Sequence, residues 1–214
     1  HRDSAGQHDY KCWYHQPSTW KADCAYSCGN ELLRFYPGYA YQDDGTAYPP
    51  ACGLTGLPAG ALVVDDQPDD VPSVRPNCPR AFTNQGAFSL DFGTDASGRY
   101  PSKVDFHQLG AGFGGHFYYA HTRTAGLRGG SMRVTGTWTL NRSLNGWARV
   151  LVHMPDHGAH TQQAAYEVDL GTGVRTRVLL QRTMANTWVS LGSFPFAGTP
   201  KVRLSSVTHD GDDG

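Results

Sequence analysis

The chain has 214 residues, 17% of them charged, with 26 glycines, 13 prolines and a formal net charge of −1. That length can bury a substantial core without outside help, and so weak a net charge gives no support to nucleic-acid binding. No apolar run approaches the roughly 18 residues that a membrane helix needs, so no membrane span is expected.

Residues 1–60 form a cysteine- and aromatic-rich, loop-dominated segment, set apart from a β-domain over 61–214. The cysteines are Cys12, Cys24, Cys28, Cys52 and Cys78. Cysteine concentrated in this way predicts an oxidising, extracellular setting and disulfides, and the odd number leaves one thiol for another fate. Cys12 and His15 with Cys24 and Cys28 also resemble a loose three-cysteine, one-histidine zinc set. One short helix is expected over 30–34 (NELLR), with Asn30 as its N-cap. A chain that starts at His1 without a leader pattern is expected to be a processed or excerpted form.

The run LVV at 62–64 predicts a short apolar strand over 61–64. Asp65, Asp66, Asp69 and Asp70 follow it and offer oxygen ligands for calcium, although without the fixed spacing of a calcium hand; a solvated turn is the alternative. Beyond a proline-rich connector, AFSLDFG (87–93) and KVDFHQLG (103–110) alternate as strands. GAGFGGHFYYAHTR (110–123) combines glycines suited to tight turning with an aromatic β-run. No helix opens behind the glycines, which excludes a phosphate cradle. Along this run His116 and Tyr118 point one way, and Phe117, Tyr119 and His121 the other. LRGGS is expected to be a turn, leading into a strand that bears Trp138.

Residues 147–204 hold five short β-runs separated by turn-forming stretches. Period-2 alternation turns Ala148, Val150, Val152 and Met154 inward, and Trp147, Arg149, Leu151 and His153 outward. The same rule turns Val174, Thr176, Val178 and Leu180 inward and Arg175, Arg177 and Gln181 outward. Val202 and Leu204 follow inward, with Lys201 and Arg203 outward. An arginine-rich outer face is therefore expected, with guanidinium heads suited to flat carboxylates, phosphates and sugar faces; an ordinary solvated polar face is the alternative. Trp188 is expected in the core and Trp147 on the surface.

Catalytic signatures are missing. There is no G-x-S-x-G elbow and no H-E-x-x-H helix, and Glu31 and Glu167 are the only glutamates from which to build a glycosidase pair. His153, His157 and His160 cluster on the loop HMPDHGAH, where they could hold a metal or contact a sugar, or form an ordinary polar loop.

The run LNGWARVLVHMPDHGAHTQQAAYEVDLGTGVRTRVLLQRTMANTWVSLGSFPFAGTPKVRLSS resembles the C-terminal carbohydrate-binding-like domain of golvesin-type and xanthan-lyase-type secreted bacterial proteins, in its actinobacterial form. The matching pieces are an alanine- and tyrosine-bearing strand at 164–170, a basic strand at 175–181, a W-V-x-L-G-x-F motif at 188–194 and a V-x-L strand at 202–204. The likeness extends over roughly 85–210. It implies an all-β, jelly-roll-like, galactose-binding-type sandwich that serves as an accessory module without catalytic residues. Family members close with a further apolar strand, which is expected to be missing after HDGDDG.

The expected function is a secreted, non-catalytic module for a polysaccharide or cell-surface polymer. Its candidate ligand-binding residues are His116, Tyr118, Trp147, Arg149, His153, His157, His160, Arg175 and Arg177. No cofactor is expected apart from calcium at the four aspartates. A structural or adhesive subunit that self-assembles or joins other chains is the alternative, and a hydrolase or lyase the third reading.

Overall fold

The computed structural model describes residues 57–70, 82–107, 112–155, 158–184 and 187–211. The five cysteines, His15, His157 and the helix expected at 30–34 lie outside the described residues.

The fold is all-β. Its strands are β1 (Gly86–Phe92), β2 (Asp105–His107), β3 (Phe117–Tyr119), β4 (Val134–Leu140), β5 (Leu144–Met154), β6 (Ala164–Asp169), β7 (Val174–Leu179), β8 (Thr187–Gly198) and β9 (Lys201–Ser205). They form a five-stranded antiparallel sheet in the order β1-β4-β9-β6-β7 and two antiparallel pairs, β2-β3 and β5-β8. LRGGS, expected as a turn, is instead a one-turn helix, α1 (Leu127–Ser131), whose Gly129 is buried. Residues 61–64 join no sheet and are not the strand expected there. They run extended, with Val63 buried and its carbonyl accepting from the Gln85 N–H at 2.7 Å.

The main core lies between β5-β8 and the β6-β9 region of the large sheet. Met154, Ala164, Tyr166, Val168, Leu170, Leu191, Phe194 and Phe196 are buried together, with Ala148, Val150, Val152, Val202 and Leu204 packed against them. Each fully buried side chain of this size contributes about 1.5–3 kcal/mol relative to exposure. The inward assignments for β5 and β9 therefore match the alternation. No disulfide occurs among the described residues, which corrects the expectation of a disulfide-held fold. The candidate cysteines lie elsewhere in the chain, and the described sheets cohere through this core and their ladders.

Two faces differ from the alternation. In β7, Arg175, Arg177 and Leu179 stand opposite Val168, Tyr166 and Ala164, which are core residues, so the arginines are on the core side. Val174, Val178 and Leu180, expected inside, are 44%, 54% and 40% exposed. The reason is position. β7 is the edge of the large sheet, where long arginine stems can cover core surface while their heads reach water. Gln181, expected outside, is buried and donates to the Tyr166 hydroxyl at 2.7 Å.

In β8 the register slips. Val150 faces Gly192 and Leu151 faces Ser190, which leaves Leu191 as the extra residue of a bulge. Gly192 takes φ 126°, a region glycine enters without strain. The bulge lets Leu191 and then Phe194 and Phe196 all turn inward, which strict alternation forbids. Trp188 falls on the opposite face from this core, beside His153, and is not the core anchor expected.

Candidate functional site

Among the described residues β5 is paired only with β8, and its other edge meets no strand there. A cleft of about 1120 Å³ runs between the layers and beside β5. It brings together His116, Tyr118, Trp147, Arg149, His153 and His160 from three parts of the chain. Trp147 is 75% exposed and presents its indole at the rim, two residues before Arg149 on the same face of the strand. Arg175 and Arg177 do not line the cleft.

The arginine-rich outer face is not a single surface. Arg149 belongs to the outside of β5, and Arg175 and Arg177 to the core side of the β7 edge. Arg203 belongs to the outside of the large sheet, within 3.5 Å of Asp169 and 3.9 Å of Glu167. Parity alone cannot tell these apart, because it says nothing of which layer a strand joins.

His153 and Trp188 face each other in the β5-β8 ladder with ring centroids 5.1 Å apart, and Phe113 closes over both at 5.7 and 4.9 Å. His153 is therefore a half-buried wall of the cleft rather than an exposed contact. Tyr118 stacks on Phe88 at 5.6 Å and meets Phe106 at 4.4 Å, and Phe88 meets Trp138 at 5.0 Å. These rings make the cleft's inner wall apolar.

At the floor stands a charged cluster that the sequence did not connect. Over 63–67 every second residue is buried, which brings Asp65 and Gln67 inside after Val63. The glycine run before β3 returns the chain tightly enough to set His116 against them. Gly112 and Gly114 take φ of 80° and 68°, and a Cβ on Gly112 would collide with the His116 carbonyl.

His116 Nε2 lies 3.2 Å from Asp65 Oδ1 and 2.7 Å from Asp66 Oδ1. The Asp65 contact is a hydrogen bond, and the Asp66 contact is a close ion pair to a fully buried oxygen. Burial pulls the imidazole's pKa down, but the two carboxylates outweigh it and raise the pKa to about 9, so His116 is charged at neutral pH.

A polar frame fixes the two aspartates. The Gln67 amide donates to the Asp66 carbonyl at 2.9 Å and to the Tyr118 hydroxyl at 3.1 Å. Asn84 accepts from the Asp65 N–H and donates to the Gln67 carbonyl, each at 3.2 Å. Asp69 turns elsewhere, accepting from the Asn84 N–H at 3.1 and 3.2 Å, and Asp70 is exposed. The four aspartates proposed for calcium thus do not converge. Two of them turn to a histidine instead.

Residues 88–212 match the family model described as the Golvesin C-terminal domain. No curated protein and no solved structure matches the chain.

Proposed function

Because the chain belongs to the Golvesin C-terminal domain family, a family of non-catalytic modules, we propose that it binds a polysaccharide or cell-surface polymer bearing acidic groups. The supporting observation is the cleft beside β5, where the exposed indole of Trp147 and the guanidinium of Arg149 share one rim. An aromatic face stacks on the apolar side of a sugar ring, and a planar guanidinium pairs with a carboxylate in two hydrogen bonds. His160 supplies a further polar contact in the cleft, and Tyr118 lends its ring to the apolar inner wall. Arg175 and Arg177 belong to the β7 edge and not to this surface.

The module acts outside the cell, in keeping with the typically secreted proteins of the family, and its layers form a jelly-roll-like, galactose-binding-type sandwich. Among the described residues no helix is long and apolar enough to cross a membrane.

Native electrophoresis of the full chain in gels cast with alginate, a polyuronate, or with a neutral mixed-linkage glucan tests the proposal. Retardation is expected in alginate and less in the glucan. Equal mobility in both gels and in plain gel would refute binding. Retardation only in the neutral glucan would refute the role given to Arg149.

A further inference from the structure

The cluster at the cleft floor has the geometry of a metal site. We propose that Asp65, Asp66 and His116 together bind one divalent first-row transition-metal ion. One donor atom from each residue lies within 4.8 Å of the other two. Donors on a common ion at about 2.0–2.2 Å stand roughly 3 Å apart when adjacent and roughly 4 Å apart when opposed. The 2.7 and 3.2 Å separations from His116 Nε2 fall at the adjacent spacing, so an ion can enter with small movements of the side chains.

The second observation is that two buried carboxylates crowd one donor. Asp66 Oδ1 is fully buried and lies 2.7 Å from the same His116 Nε2 that pairs with Asp65 at 3.2 Å. A single N–H cannot align with both oxygens, and a buried carboxylate oxygen left short of donors is costly. An ion between the three groups satisfies both carboxylates at once. On binding, the imidazole coordinates through neutral Nε2 and its proton passes to solvent.

The donor set selects the class of ion. Two carboxylate oxygens and one imidazole nitrogen suit Mn²⁺, Fe²⁺ or Zn²⁺, whereas Ca²⁺ takes six to eight oxygens. Gln67 and Asn84 form an outer shell that fixes the backbone carrying both aspartates. Asp65 and His116 are 51 residues apart, so the ion closes a long loop and clips residues 57–70 to the start of β3.

Mn²⁺ is the probe of choice for the full chain, because cysteine thiolates compete poorly for it. Calorimetric titration of the wild type is expected to show one saturable site. Asp66→Asn and His116→Gln are expected to weaken it by at least about tenfold, while Asp70→Asn leaves it unchanged. Circular-dichroism melts in chelator establish that each variant folds. A readout free of variants is pulsed EPR of the wild-type Mn²⁺ complex, in which a directly bound imidazole gives ¹⁴N modulation. No saturable site, no ¹⁴N modulation, or equal Mn²⁺ affinity in folded Asp66→Asn and wild type would each overturn the assignment.

Discussion

Arg177 and Phe194 meet across the two layers, with the guanidinium carbon 5.4 Å from the ring centroid. The contact makes Arg177 a cover for the core at an edge strand rather than part of an outer binding face. Arg177→Ala is expected to lower stability by about 0.5–1 kcal/mol, the range of a cation–π contact near the surface. Arg177→Met, which keeps the stem, is expected to recover part of that in urea denaturation, and neither variant should alter polysaccharide retardation.

Burial sets a sharper contrast along β5. Met154 is 1% exposed, and Met154→Ala is expected to cost about 2–5 kcal/mol through the cavity it leaves. Trp147→Ala removes a rim side chain and is expected to change stability by no more than about 0.5 kcal/mol. Denaturant midpoints of the two variants check this directly; the reverse order would mean that the faces of β5 are exchanged.

The Tyr166 hydroxyl and the Gln181 amide form a buried pair at 2.7 Å, and burial pushes the phenol's pKa well above its ordinary value. Tyr166→Phe strands the buried amide and is expected to cost about 1–3 kcal/mol. Combining it with Gln181→Leu should return much of that loss, because both polar groups are then absent. Additive losses in the double variant would contradict the pairing.

Asp210 accepts from the Thr161 hydroxyl and the Gln162 N–H, each at 2.6 Å. The Thr161 hydroxyl, followed by the Gln162 amide, holds its pKa below the ordinary carboxylate value. The folded value being depressed, this clasp contributes above the unfolded pKa of 3.8 and is lost as the pH falls through the lower folded value. An NMR titration of the Asp210 carboxyl is expected to show a midpoint below that of a free aspartate, and Thr161→Ala should move it upward.

Much of this architecture was legible in the residues. Alternation along 147–154 and 201–205 assigned both faces of β5 and β9, because each strand is covered on one side and carries no irregularity. It failed in β7, whose arginine stems substitute for apolar side chains at the sheet edge, and at β8, where a single extra residue at Leu191 reverses the pattern. The W-V-x-L-G-x-F run contains that bulge, with Gly192 as its visible signal. The aspartate–histidine cluster was not legible, since its partners are 51 residues apart and only the tertiary fold joins them. The buried alternation of Val63, Asp65 and Gln67 carries a trace of it, because it extends an apolar register into polar residues.

Polymer recognition by the rim of β5 is tested most directly by isothermal titration of alginate oligosaccharides into the wild type, Trp147→Ala and Arg149→Ala at equal protein stability. Measurable binding by the wild type and a loss of about tenfold in each variant, equivalent to roughly 1.4 kcal/mol, are expected. Wild-type affinity in both variants would contradict recognition by this rim, as would a wild type that takes up no alginate.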